Sequence, residues 1–146
     1  MNVNKYNSEH YSDPTAYEAL TLLRKQTGFR PLVYICSPYA GDIAENVRKA
    51  REYSRFAVKQ HCIPIAPHLL FPQFMNDGSK AERELALFMG MVLLTQCREV
   101  WVFGGTVSGG MALEIGKAKR RALPIRYFSD NCEEVCKDDK WVEVHG

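Results

Sequence analysis

The stretch that decides the fold is Glu99-Val100-Trp101-Val102-Phe103-Gly104-Gly105-Thr106-Val107-Ser108-Gly109-Gly110-Met111. Its opening run, Glu99 to Phe103, is rich in β-branched and aromatic residues, the composition of a buried strand. The following loop, Gly104 to Gly110, carries four glycines, and Met111 to Arg121 returns to helix-forming residues. Strand, glycine loop and helix in that order are most of a β-α-β crossover, which requires a parallel neighbour strand and helices packed over the sheet.

The rest of the chain repeats the alternation. Upstream, Leu32-Val33-Tyr34-Ile35-Cys36 is a second apolar run, and it ends in the loop Ser37-Pro38-Tyr39-Ala40-Gly41. Ala44 to Gln60 places Val47, Ala50, Ser54, Ala57 and Val58 on one side and Arg48, Lys49, Arg51 and Lys59 around the other, an amphipathic helix. Cys62 to Pro67 reads as a short strand ending at His68, and Leu69 to Asp77 as an irregular loop with a turn of helix. Ser79 to Gln96 reads as helix, and Pro124 to Phe128 as the last firm strand. The expected class is α/β, a Rossmann-like sandwich with a mostly parallel sheet of four or five strands flanked by helices. Residues 1–30 are expected to be an N-terminal appendage with one helix, starting at Asp13-Pro14 and stopping near Gly28. The main domain is expected over 31–130, followed by a C-terminal tail, 131–146, with one short strand around Trp141 to Val144.

With 146 residues, 46% hydrophobic and 25% charged, the chain has the composition of one ordinary globular core. A formal charge of +2 gives no electrostatic grip on a nucleic-acid polymer, and Lys117, Lys119, Arg120 and Arg121 sit where a helix C-terminus favours cations. The longest apolar run, Leu85 to Leu94, is ten residues, about half of what spans a membrane. The N-terminal residues resemble neither a secretory signal nor a transit peptide, so a cytoplasmic location is expected. Five scattered cysteines fit reduced thiols. Cys132 and Cys136 with His145 lack the spacing and the fourth ligand of a zinc site, and no metal or organic cofactor is expected.

Chemistry concentrates where the strands end, the edge at which open α/β sheets take ligands. The glycine loop puts backbone amides at a helix N-terminus, where an anion such as phosphate binds. It matches neither a Walker A loop nor GxGxxG. Gly105, Gly109 and Gly110 are candidates to approach such a ligand, and Ser108 either caps the helix or contacts the ligand. Glu114 stands in the first turns, where the helix dipole favours an ionised carboxylate and so a charged nucleophile. His68 ends the second strand, placed for phosphate, base or a local hydrogen bond. Tyr39 is placed to stack on a base or to meet another subunit.

Two motifs together, Val33-Tyr34-Ile35-Cys36-Ser37-Pro38-Tyr39-Ala40-Gly41 and Ser108-Gly109-Gly110-Met111-Ala112-Leu113-Glu114-Ile115-Gly116, resemble the motif pair of the nucleoside 2-deoxyribosyltransferase superfamily. That group includes the 2′-deoxynucleoside 5′-phosphate N-hydrolases and many uncharacterised bacterial and phage relatives. The resemblance runs from about Leu32 to Phe128 and is nearest to the uncharacterised branch. It implies that Glu114 attacks the sugar C1′, that Tyr34 on the first strand orients it, and that Ser108 contacts a 5′-phosphate. It also marks Ser37, Pro38, Tyr39 and Gly41 as a substrate loop. One position departs: where the superfamily usually has an aspartate to handle the proton on the leaving base, the match here is Gly90 or Met91. Glu82 and Glu84 are earlier on that helix and, at about 100° per residue, are expected off the face of Gly90; Asp42 and Asp77 lie on loops.

The resemblance thus implies cleavage of an N-glycosidic bond of a nucleoside or nucleotide, by hydrolysis or by transfer to another base. The alternative is a non-catalytic Rossmann-like module that senses a nucleotide, which the glycine at position 90 favours. A third likeness, to cytokinin-activating phosphoribohydrolases, requires PGGxGT, which Phe103-Gly104-Gly105-Thr106 does not supply. The expected partners are a small-molecule nucleoside or nucleotide and a second copy of the chain, without nucleic-acid polymer or membrane. The homo-oligomer, most simply a dimer, follows from relatives that complete their sites across subunits and from Phe71, Phe74, Phe88, Met89 and Met91, with the helix from Ser79 to Gln96 as interface.

Overall fold

A computed structural model describes residues 15–20, 28–136 and 142–143. Contacts divide the chain into Met1–Arg30 and Pro31–Gly146. In the first unit, residues 15–20 are helical; the expected start at Asp13-Pro14 lies outside the described residues. The second unit holds every element discussed below.

Its order is β1 (Leu32–Cys36), α1 (Ile43–Lys59), β2 (Ile63–Ile65), α2 (Pro67–Leu70), a 3₁₀ turn (Phe71–Gln73), α3 (Lys80–Thr95), β3 (Glu99–Phe103), β4 (Thr106–Val107), α4 (Gly109–Arg120), β5 (Ile125–Phe128), β6 (Glu134–Val135) and β7 (Val142–Glu143). Five strands form one sheet in the order β2-β1-β3-β5-β6. The first four run parallel, and β6 closes the edge antiparallel to β5. This is the α/β architecture expected from the alternation of elements.

Side chains alternate across a strand, so each central strand supplies both faces. Val33 and Ile35 of β1 join Trp101 and Phe103 of β3 beneath Tyr53 and Ala57 of α1. Tyr34 and Cys36 face the other way, with Val100 and Val102, against Leu94 of α3 and Met111, Ile115 and Ala118 of α4. The result is three layers. On the α1 side the core is aromatic: Tyr53 stacks on Phe103 at 4.3 Å, and Phe103 on Phe128 at 5.0 Å. Arg126 covers the Trp101 ring at 5.0 Å and pairs with Glu134 at 2.7 Å, which ties β5 to the β6 edge.

Two details differ from the sequence expectation. Helix α1 buries Ala50, Tyr53 and Ala57, while Val58 is exposed; the tyrosine ring covers more of the sheet than valine would. The glycine loop contains a short strand, β4, paired in parallel with β7 of the C-terminal segment. Of the expected strand around Trp141 to Val144, Val142 and Glu143 are extended, and its end residues lie outside the described residues. Among the described residues no helix is long and apolar enough to cross a membrane.

Candidate active site

Strand β1 is followed by a connection to β2 on one side of it, and β3 pairs on its other side. The carboxyl ends of β1 and β3 are therefore a point where the strand order reverses, the place such sheets form a crevice. A cavity of about 370 Å³ opens there between α3 and α4.

From β1 comes Tyr34, and from the loop after it Ser37 and Tyr39. That loop is held by Asn46, whose side-chain amide donates to the carbonyls of Tyr39 at 3.0 Å and Ala40 at 2.9 Å. Gly41 takes φ +95°, a left-handed turn that only glycine adopts freely, and delivers Asp42 to cap α1. From α2 comes His68, and from the start of α4 come Ser108, Gly109 and Gly110 with Glu114 one turn further. Pro38, Gly41 and Gly105 belong to the same loops but not to the cavity lining.

Glu114 is the electrostatic centre. Its Oε2 atom is out of reach of solvent and has no hydrogen-bond partner among the described residues. Burial disfavours the charged carboxylate and pushes its pKa up to about 7, while the Tyr34 hydroxyl and the Cys36 thiol, which approach the carboxyl, pull it back in part. The helix dipole was expected to keep this group ionised. That holds only in part: the glutamate stands beyond the first turn, where the dipole fades, and desolvation leaves the group about half ionised at pH 7. Tyr34 and Cys36 in turn are raised by burial and by the nearby glutamate charge, which keeps both protonated at neutral pH.

Ser37 and His68 form a second pair, Oγ to Nε2 at 2.9 Å. Burial lowers the His68 pKa to about 4, so the ring is neutral and acts as a hydrogen-bonding group rather than a cation. Ser108 caps α4: its Oγ accepts from the Met111 amide at 3.3 Å. Its hydroxyl hydrogen remains available to a ligand.

Gly90 sits at the cavity floor, and a β-carbon there would lie 3.6 Å from the Tyr34 hydroxyl. Asp42 is spent on its cap, accepting from the Glu45 amide at 3.3 Å. Asp77 and Glu82 do line the cavity. Glu82 was expected off the face of Gly90, but about 80° of helix rotation is within the width of one apolar stripe, and a glutamate is long. Sequence reasoning missed Cys36 and Arg83. Cys36 follows Tyr34 by two strand positions and so shares its face; Arg83 precedes Gly90 by seven helix positions and so shares its side. Cys132 and Cys136 are free thiols, and their expected companion His145 lies outside the described residues.

A family model described as Domain of unknown function (DUF7768) matches residues 31–128. No curated protein matches the chain. Among solved structures, the 2-deoxyribosyltransferase of the psychrotolerant bacterium Bacillus psychrosaccharolyticus superposes with a TM-score of 0.52 at 17% identity, over 67% of this chain and 72% of that one. A 2-deoxyribosyltransferase from Leishmania mexicana gives a TM-score of 0.48 at 13% identity, over 76% of this chain and 82% of that one. The first of these likenesses is one of fold.

Proposed function

The chain belongs to this family of unknown function, and on that footing we propose that it cleaves the N-glycosidic bond of a nucleoside or nucleoside 5′-monophosphate, by hydrolysis or by transfer to a second base. The observation that carries the proposal is the buried, unpartnered Oε2 of Glu114 in the cavity wall. A carboxyl kept for structure is hydrogen-bonded when buried, because leaving it bare costs about 1–3 kcal/mol or more. With the carboxyl approached by the Tyr34 hydroxyl and the Cys36 thiol and its Oε2 left bare beside a cavity, the group is positioned to react.

In the proposed mechanism the Glu114 carboxylate attacks C1′ and the C1′–N bond breaks, with the electron pair leaving on the base, which takes up a proton. The glycosyl ester so formed is opened at C1′ by water or by a second base, which returns the free carboxylate. Tyr34 orients the carboxylate, and Ser37, Ser108 and the Gly109 and Gly110 amides hold sugar or phosphate. The fold of the Bacillus enzyme, named for deoxyribosyl transfer, supports this substrate class. Gly90 favours a second reading, a nucleotide-binding module without catalysis, because no carboxyl stands beside the Tyr34 hydroxyl from that position.

Incubation with ribo- and deoxyribonucleosides and their monophosphates, followed by chromatography for free base, tests the proposal. Base release that is lost in a folded Glu114→Ala protein supports it. Release undiminished by that substitution, or none from any compound, refutes it.

We also propose a homo-oligomer. Leu85, Phe88 and Val92 recur at helical spacing on the side of α3 turned away from Gly90 and are exposed, so the helix is apolar on both sides. Of the apolar residues expected at this surface, Phe74 and Phe88 are exposed, whereas Phe71 and Met91 turn inward to the cavity.

A further inference from the structure

A second cavity, of about 330 Å³, lies beside the one that holds Glu114, at the small end of the sizes ligand sites take. Helix α1 forms one side of it with Val47 and Arg51, and the 3₁₀ turn after α2 forms the other with Pro72 and Gln73. Tyr39, His68 and Pro72 line both cavities and so stand between them. The two differ in charge. The first holds Asp77, Glu82 and Glu114 against Arg83. The second has no carboxylate among its described lining residues, and with His68 neutral its charge is that of Arg51.

Arg51 has no carboxylate partner among the described residues, unlike its neighbours on α1: Arg48 pairs with Glu45 and Glu52, and Lys49 with Asp130 at 3.9 Å. The helical period explains the difference. Glu45, Arg48 and Glu52 share the outer strip of α1, and Ala50, Tyr53 and Ala57 the strip against the sheet. Val47 and Arg51, four apart, share a third strip, which borders the second cavity and carries no acid there.

We propose that this second cavity is a phosphate site anchored by Arg51. A guanidinium offers two parallel N–H groups to two phosphate oxygens. Two further donors are held by the fold. Asn46, the residue before Val47, donates to the Tyr39 carbonyl at 3.0 Å, which ties the loop bearing the tyrosine hydroxyl to α1. Gln73 donates one amide hydrogen to the Leu69 carbonyl at 2.6 Å and keeps the other for a ligand. The three side chains come from α1, the loop after β1 and the 3₁₀ turn, so their donors surround the cavity rather than share a plane. A tetrahedral phosphate accepts from all sides, whereas a carboxylate accepts near its own plane. The group can arrive as free phosphate or on a nucleotide that reaches past Tyr39. Binding there requires no turnover, so it is independent of the glycosidic reading.

Nuclear magnetic resonance of the full chain tests the site. Sodium phosphate is titrated at constant ionic strength, balanced by chloride, while the side-chain N–H signals of Arg51 and Gln73 are followed. Phosphate is expected to shift both along one saturable curve, with acetate at least about tenfold weaker. Arg51→Gln should weaken the Gln73 response at least about tenfold. Glutamine is a good helix former, so α1 is kept. Two controls should leave the response unchanged: Arg55→Gln, one turn along α1 and outside the cavity lining, and Ser108→Asp, on the α4 wall of the first cavity. A response that does not saturate, that acetate matches, that survives Arg51→Gln, or that falls as far with either control overturns the proposal. A 2′-deoxynucleoside 5′-monophosphate distinguishes the two sources. Binding at the Arg51 signal tighter than that of inorganic phosphate supports a group carried on a nucleotide, and equal or weaker binding supports free phosphate at the same site.

Discussion

The Tyr34 hydroxyl lies 3.6 Å from the place where a β-carbon on Gly90 would stand. That spacing is ordinary van der Waals contact for a β-carbon, and Gly90 is in mid-helix, so Gly90→Asp removes a poor helix former without a clash at its first atom. The new carboxyl points at the floor where a departing base needs a proton. Gly90→Asp is expected to raise base release from poor leaving groups such as adenine by about 100-fold or more, the usual worth of a general acid, and to leave 7-methylguanine compounds nearly unchanged. Equal effects on both classes, measured as kcat/KM, would show that another group already supplies the proton.

The pH dependence should carry one rising limb. Glu114 attacks as the carboxylate, and burial places its pKa at about 7, so kcat/KM should climb as pH passes through that value and level off above it. His68, with its pKa lowered to about 4, is neutral across the same range and adds no limb there. A flat profile between pH 5 and about 9 would contradict the assignment of Glu114.

Glu114 is also expected to cost stability. Unfolded, it ionises near 4.5; folded, near 7, so below the first value both states are protonated and no penalty exists. Above it the unfolded state alone gains charge, and the penalty grows until the folded group ionises too, reaching about 3 kcal/mol. Glu114→Gln should therefore be more stable than wild type at pH 8 and equal to it near pH 4. Urea denaturation at the two pH values measures this, and a variant less stable at pH 8 would show that the carboxyl's contacts with Tyr34 and Cys36 outweigh its desolvation.

Ser108 should separate capping from binding. Ser108→Ala removes the acceptor for the Met111 amide and is expected to cost about 0.5–2 kcal/mol while reducing monophosphate affinity. Ser108→Asp keeps the cap but sets a negative charge where a phosphate would sit, so it should retain stability and lose the monophosphate preference. Undiminished binding of the monophosphate to the aspartate variant would remove phosphate from the α4 wall.

Light scattering is expected to give a mass of at least two chains. Phe88, 64% exposed at the centre of the apolar side of α3, is the position to challenge. Phe88→Glu should yield monomers with an unchanged far-ultraviolet circular dichroism spectrum. A wild-type protein that is monomeric at micromolar concentration disproves the oligomer.

The alternation of apolar runs and amphipathic stretches made the fold legible, since β1 and β3 are buried on both faces and read as continuous apolar sequence. The minor strands were not. Thr106–Val107 and Glu134–Val135 are two residues each, too short for period-2 patterning to register, and they exist through partners in space. At the site, His68 and Glu114 were legible from their places after a strand and on the helix that follows the glycine loop, Tyr34 and Ser37 from the resemblance alone, and all four line the cavity. The protonation state of Glu114 was not. A dipole is visible in a helix pattern, whereas the desolvation that outweighs it depends on Tyr34 and Cys36 closing over the carboxyl. Glu82 was set off the site because a helical wheel ignores side-chain length and the curvature of a cavity wall.

The sheet also divides the molecule optically. Trp101, 1% exposed, lies under α1 with an arginine over its ring, on the face opposite Tyr34 and Glu114. Once Trp141 is replaced by phenylalanine, the remaining indole should fluoresce as a reporter of sheet integrity alone. Its emission should shift when the protein unfolds and stay constant while the cavity fills, so ligand titrations need a probe placed on the other side.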